Sequence, residues 1–343
     1  MTGRILLPGL LGLGAGVLVL AGLHVAGPIL APITFAFFTI ALVLPLQRVL
    51  ASRIPRSLAL LVTILVTLAV VSLLGWLVIW GLLRVGTWLI NNSANITGLY
   101  GQTVLMLEAS GFDAASMLAQ QFDISWLLRL ARSAVGQVQG VITFIALMMV
   151  FVILGMMQVG LTACNLESLG RNGQGRAVLH IAQRVAWKLQ RYMLVRTAMS
   201  ILTGFCVFLF AWAIGLDLAL EWGVIAFVLN YIPFIGPLLA TVLPALVAGV
   251  QFGSAGTAAL VSIGLNVIQN IIGSGVEPRI TGNALAISPF IVLLAVFFWA
   301  FLWGIAGAFI GIPIVIAVLT ACAAYPSTRW VAVLLSGSAA DPE

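Results

Sequence analysis

The stretch NYIPFIGPLLA at 230–240 sets Asn230, Pro233, Gly236 and Pro237 inside an otherwise apolar run. Proline has no N–H to donate and clashes with the preceding turn, so helix carbonyls lose their partners here. In apolar surroundings, such carbonyls, near Ile232 and Phe234, and the Asn230 amide would bind a hydroxyl-rich solute. A second polar set, Ser262, Asn266, Gln269, Asn270 and Gly273, recurs at helical spacing along one stripe. Amides on such a stripe either hold neighbouring helices together or line a polar route. Carboxylates are few. Glu221 precedes the proline-bearing run, and Glu277 lies in GSGVEPRITG (273–282) beside Arg279. A charge near a Gly/Pro-broken apolar helix is a candidate for gating or ion coupling. Two readings are open: proton exchange on Glu277 or Glu221, and a Glu277–Arg279 pair that anchors a moving element. WGIAGAFIGIP (303–313) interrupts another apolar run, with Gly304 and Gly307 as candidate hinge points.

Other chemistry is missing from the sequence. There is no H-E-x-x-H, no G-x-S-x-G and no phosphate-cradling G-x-x-x-x-G-K-[ST]. The 2 histidines (His24, His180) and 3 cysteines (Cys164, Cys206, Cys322) are scattered, with no C-x-x-C. The expectation is no enzyme, no cofactor, no metal and no disulfide framework.

These residues need a frame that places polar groups among apolar ones. The chain is 62% hydrophobic and 7% charged, against about 25% charged in soluble domains. Several continuous apolar runs reach the ~20 residues that span a bilayer. The predicted class is all-α, a polytopic integral membrane protein of about eight transmembrane helices, broken in the C-terminal half. A β-barrel does not fit, because the runs do not alternate.

The predicted spans are 5–23, 27–46, 57–83, 141–163, 197–215, 223–250, 256–275 and 288–320. Residues 4–22 read as a retained first helix, since the apolar run exceeds that of a signal peptide. The net charge of +6 follows topology and does not point to nucleic acid. Arg4, Arg48, Arg53, Arg56, Arg171, Arg176, Arg184, Lys188, Arg191, Arg196 and Arg329 fall on one side. Arg84, Arg129, Arg132 and Arg279 fall on the other. The richer side is cytoplasmic, which puts both termini on the cytoplasmic side of the cell (inner) membrane.

The expected organisation has six parts. They are an N-terminal three-helix membrane segment (1–83), an extracytoplasmic helical cap (84–140), a fourth span (141–163), a cytoplasmic basic amphipathic helix (164–196), a four-span transport core (197–330) and a tail (331–343). The cap carries the amphipathic WLLRLARSAV (126–135) and two Asn-x-Ser/Thr triplets. On 174–196, Arg176, His180, Arg184, Lys188 and Arg191 share one face, suited to the inner leaflet. As straight helices, 223–250 would measure about 42 Å and 288–320 about 50 Å, against about 30 Å of hydrocarbon. Both must tilt, kink or break, and freed backbone groups must face protein or a watery cavity.

NYIPFIGPLLA together with VEPRITGNALAISPFIVLLAVFFWAFLWGIAGAFIGIPI (276–314) resembles the autoinducer-2 exporter family of membrane permeases. The resemblance is strong over 220–320 and follows the whole order of elements. Its motif falls on Asn230, Pro233, Gly236, Pro237, Glu277, Pro278, Arg279, Gly282, Ser288 and Pro289. Thr281, Asn283 and the apolar Ile272 depart from the family pattern. The resemblance implies a secondary transporter that is a homo-oligomer, with signal export or sodium/proton antiport as its activity.

The first reading is thus an exporter of a small polar signal or metabolite, like autoinducer-2. Asn230, Pro233, Gly236, Pro237, Asn266, Gln269 and Asn270 would line the path, and Glu277, Arg279 and Glu221 would gate it or couple it to a proton or sodium. The alternatives are a sodium/proton antiporter and a non-transporting membrane scaffold. The partners expected are the solute, the coupling ion and the lipid bilayer.

Overall fold

The computed structural model describes residues 3–98, 101, 136, 138–168, 174–277, 279 and 288–335. Most of the expected cap, Pro278, residues 280–287 and the tail beyond 335 lie outside the described residues. The described elements are all helical. They are α1 (Gly3–Val25), α2 (Gly27–Ala51), α3 (Arg56–Asn91), α4 (Val138–Ser168), α5 (Gln174–Ala213), α6 (Ala219–Leu229), α7 (Ile235–Phe252), α8 (Ala255–Asn270), a π-helical segment (Ile271–Val276), α9 (Pro289–Ala324) and α10 (Arg329–Leu335). Among the described residues, 7 helices are long and apolar enough to cross a membrane. The protein is an all-α, multi-pass membrane protein.

The chain divides into two compact units. The first holds Met1–Val70, Thr143–Tyr192 and Leu285–Glu343, and the second Val71–Ile142 and Met193–Ala284. Helices α3, α4 and α5 contribute to both. The basic stretch 174–196 and the apolar span after it are one 40-residue helix, about 60 Å long, with no break at 196.

In the first unit α1 passes into α2 through the single residue Ala26 (φ −78, ψ −1), and α9 folds back on itself. Trp303 (φ −129, ψ 19) and Gly304 (φ 62, ψ −142) leave helical geometry. Only glycine adopts the second conformation without strain. Past this point the two halves of α9 run side by side. A side chain on Gly307 would strike the carbonyl of Trp299, and one on Gly311 would lie 3.0 Å from the carbonyl of Ala295. In a straight helix Ala295 and Gly311 would stand about 24 Å apart. The small residues Gly307 and Gly311, one turn apart, let the backbones touch. The C-terminal end of α1 holds the reversal of α9: His24 Nδ1–H donates to Leu302 O at 2.9 Å, and Trp303 Nε1–H donates to Leu23 O at 3.0 Å. The expected single span 288–320 is therefore a helical hairpin with its tip at Trp303–Gly304.

In the second unit the expected span 223–250 is also a hairpin. Helix α6 ends at Leu229 and α7 starts at Ile235. The N-terminal end of α6 meets the C-terminal end of α7: Asp217 N–H donates to Gln251 Oε1 at 2.7 Å, and Gln251 Nε2 donates to Gly215 O at 2.8 Å. A straight helix would separate Asp217 and Gln251 by about 50 Å. The prolines are also not the helix-interior defects that the sequence suggested. Pro233 lies in the turn and Pro237 in the first turn of α7, where the missing N–H needs no partner. The interior proline of α7 is Pro244, which is buried. A core of Trp222, Ile225, Ala226, Ala240, Val247 and Leu265 binds α6, α7 and α8. Gly204 of α5 and Gly223 of α6 approach so closely that a side chain on Gly204 would lie 2.7 Å from the Gly223 carbonyl.

Candidate functional site

Two described non-glycine residues of the second unit have positive φ: Leu218 just before α6 and Phe234 at the tip of the α6–α7 hairpin. Phe234 has φ 64 and ψ −54 and is half exposed. Its neighbours close a three-residue turn, Ile235 N–H to Pro233 O at 2.7 Å. This is the rare γ-turn of positive φ, and such strain costs of order 1–3 kcal/mol and clusters at functional sites. Gly236 follows, with the Leu229 carbonyl against its Cα, so no side chain fits there. Gly236 N–H donates to Ile232 O at 2.9 Å and restarts the helix.

Helix α5 receives this tip on a polar face. Arg196, Ser200 and Thr203 are buried, and their i, i+4, i+7 spacing puts them on one stripe. Asn230 Nδ2 donates to Ser200 Oγ at 3.2 Å, and the Tyr231 hydroxyl bonds to Thr197 Oγ1 at 2.9 Å. Arg196 Nη1 donates to Glu277 Oε1 at 2.7 Å; the arginine side chain is 8% exposed and the glutamate 31%. Two buried polar atoms of the stripe, Arg196 Nε and Thr203 Oγ1, have no hydrogen-bond partner. In α7, Thr241 Oγ1 is likewise unpartnered.

Glu277 reaches Arg196 from the end of the π-helical segment. A π turn carries more residues than an α turn and re-aims the side chains beyond it, and such turns are frequent at functional sites. Ile272 within it packs on Val195 and Met199 of α5, which brings Glu277 beside Arg196. Arg279 is exposed.

The other expected residues occupy different places. Glu221 lies in the first turn of α6, 4% exposed, and accepts from Arg84 Nε at 2.8 Å. Trp88 Nε1–H donates to Asp217 Oδ2 at 3.2 Å beside it. Together with Gln251 these form a polar latch at the open end of the α6–α7 hairpin, away from its tip. In α8, Asn266 and Asn270 are exposed and Gln269 half-buried. The Asn266 and Asn270 amides donate to the carbonyls of Ser262 and Asn266, each at 2.9 Å. Val261 and Leu265 form the buried face of α8. Gly304 and Gly307 belong to the α9 hairpin of the first unit.

Sequence reading missed Arg196, Thr197, Ser200, Thr203 and Tyr231 as site residues. The signal was present as R-x-x-x-S-x-x-T at 196–203, polar residues on one face of an apolar span. Arg196 read instead as the last cation of the basic helix.

Apolar helices that reverse within their own length, with polar groups gathered at the turn, are an arrangement that membrane transporters use. The AI-2E family transporter profile matches residues 13–327, and the chain belongs to that family. It is 29% identical over 335 residues to the AI-2 transport protein TqsA of Escherichia coli K12, covering 94% of each chain. It is 26% identical over 346 residues to a putative transport protein of Haemophilus influenzae, covering 95% of each. A putative transport protein of Borreliella burgdorferi is 37% identical over 132 residues, 38% of this chain and 36% of that one. The family is one of transport proteins, not enzymes.

Proposed function

We propose that this transporter exports a small, polar, hydroxyl-bearing solute of the autoinducer-2 kind across the cell membrane, with the α6–α7 tip bordering the route. The observation that carries the reading is the meeting of Asn230 with a buried polar stripe on α5, two of whose groups lack partners. Unsatisfied buried polar atoms are costly, and a passing solute satisfies them. Asn230, Pro233, Gly236 and Pro237 shape the tip. Asn266, Gln269 and Asn270 border the same route, since amides do not face lipid at low cost. Glu277 gates it through Arg196, while Glu221 anchors the hairpin. The similarity to TqsA supports the solute class.

The Lys/Arg distribution supports both termini on the cytoplasmic side. Two reversing hairpins in place of two crossings leave that parity unchanged. Export then runs from the Arg196 end towards the Arg84–Glu221 end. We also take the protein to be a homo-oligomer, as the family resemblance implies.

The test is solute uptake and efflux in proteoliposomes, with and without pH or sodium gradients, for wild type and Asn230→Leu. Single cysteines at 230–237 should react with water-soluble thiol reagents while those at 242–248 do not. Inert cysteines at the tip together with full transport by Asn230→Leu would move the route elsewhere. Sodium-driven proton movement without any organic solute would establish the antiporter reading instead.

A further inference from the structure

The outer face of α5 changes character along its length. Trp187, Leu194, Ile201, Phe205 and Trp212 are all exposed, and their spacing puts them on one face of the helix. Leu189, Val195, Met199, Ser200 and Thr203, on its other sides, are buried. From Leu194 to Trp212 the exposed face carries no charge over about 27 Å, close to the ~30 Å of hydrocarbon. Before Leu194 the same face turns basic: Arg184 and Arg191 are exposed and Lys188 is half-buried. Tryptophan favours the membrane–water interface, and Trp187 stands between Arg184 and Arg191. No Asp or Glu occurs between 174 and 213. Among the described residues, no hydrogen bond or ion pair holds Arg184, Lys188 or Arg191. Because α5 is one helix through this change, its basic end stands across the membrane surface.

We propose that this end of α5 is a binding site for an anionic phospholipid. Arg191 and Lys188 hold the lipid phosphate, Arg184 adds charge, and Trp187 packs at the level of the glycerol backbone. An acyl chain lies along Leu194, Ile201 and Phe205. The depths agree. Counted along the helix from Leu194, Arg191 and Lys188 come about 4 and 9 Å on, at headgroup level. Arg184 comes about 15 Å on, which leaves its charge within a Debye length of the phosphates. The chemistry agrees as well: a guanidinium meets two phosphate oxygens at once, and an ammonium acts beside it as a point charge. The unbroken passage from basic to apolar on one face selects lipid as the occupant. A free phosphate makes no use of the apolar stripe, and an acidic soluble protein does not reach it. The Lys/Arg distribution places the site in the cytoplasmic leaflet. Nothing in the inference depends on the solute or its route.

The probes are phosphatidylglycerol, phosphatidylcholine with the same acyl chains, and glycerol 3-phosphate as the soluble phosphate. Each is titrated into the purified full chain in detergent. Bound lipid is counted by native mass spectrometry, and the melting temperature is followed alongside. A basic side chain at an anionic surface favours it by a factor of about five. Wild type should therefore retain phosphatidylglycerol about tenfold or more over phosphatidylcholine, and high salt should weaken the preference. Glycerol 3-phosphate should leave the melting temperature unchanged. Arg184→Gln, Lys188→Gln and Arg191→Gln together should abolish the preference. Arg48→Gln, Arg53→Gln and Arg56→Gln remove the same charge from other exposed positions, and should keep it within about twofold of wild type. If the first triple variant does not fold, the wild-type preference and its survival in the second decide. Equal retention of the two lipids, or equal loss in both triple variants, would overturn the inference, since the charges would then act as a diffuse field. Stabilisation by glycerol 3-phosphate as strong as by phosphatidylglycerol would overturn it in favour of a soluble phosphate. Smaller oligomers in the first variant, with no lipid preference in wild type, would assign the face to a second copy of the chain.

Discussion

Asp217 and Gln251 stand 34 positions apart and share a hydrogen bond of 2.7 Å. That single contact turns the apolar run between them from a crossing into a hairpin. Cysteines at Ala213 and Ala255, both exposed, should therefore be labelled from the same side of the membrane by an impermeant thiol reagent. Labelling from opposite sides would restore the crossing. Labels at 110–120 and 170–178 should meanwhile report opposite sides.

Gly236 should tolerate no side chain. The Leu229 carbonyl occupies the place of a Cβ, and backbone cannot yield as a side-chain end can. Gly236→Ala is expected to destabilise by about 1–3 kcal/mol and to lose transport. Gly273→Ala, with nothing within 4 Å, is the control and should keep its melting temperature. Equal melting temperatures in the two variants would mean that the hairpin tip opens freely.

The latch pair should behave asymmetrically. The Glu221 side chain is 6% exposed and that of Arg84 60%. Arg84→Gln strands a buried carboxylate, whereas Glu221→Gln leaves an arginine that water can solvate. Arg84→Gln should be the more destabilising single change, and the double variant milder than Arg84→Gln alone. A double-mutant cycle of melting temperatures reads this directly. Proton-coupled transport abolished by Glu221→Gln alone, at unchanged stability, would instead make Glu221 an ion-coupling group.

The α8 amides should separate transport from stability. Asn266 and Asn270 bond to carbonyls of their own helix, so no other element of the chain loses an anchor when they go. Asn266→Leu with Gln269→Leu should leave the stability of the detergent-solubilised chain within about 0.5 kcal/mol of wild type. Transport should slow severalfold. Loss of oligomers on native mass spectrometry, with transport otherwise normal per assembled particle, would assign the stripe to a subunit contact.

Helix class and the membrane setting were legible because they rest on composition and run length. The sites of interruption were legible too, since Pro233, Gly236 and Gly304 stand out against apolar neighbours. What they do was not. Hydropathy has no direction, so a run that dips and returns reads like one that crosses. The reversal depends on Gln251 finding Gly215 and Asp217, and on Gly311 finding Ala295, contacts between residues far apart in the chain. The prolines misled for a related reason: their cost depends on where the helix starts, and Ile235 was not visible as a start. Arg196 was misassigned because Glu277 lies 81 positions away, and the i, i+4, i+7 pattern with Ser200 and Thr203 falls across the boundary drawn at 196/197.

The short first arm of the α6–α7 hairpin bears on how the protein is made. At 11 residues, α6 measures about 16 Å, roughly half the hydrocarbon thickness, so it is too short to leave the translocon as a span of its own. Its far end carries the Asn230 and Tyr231 side chains, which without α5 would meet lipid with no partner from that helix. Helix α5 emerges from the ribosome first and already presents Thr197 and Ser200, the side chains that Tyr231 and Asn230 later bind. Vectorial synthesis thus delivers the receptor before the piece that needs it. A chain permuted to make α6 and α7 ahead of α5 should stall at insertion or be degraded, although every contact of the finished protein would remain available to it.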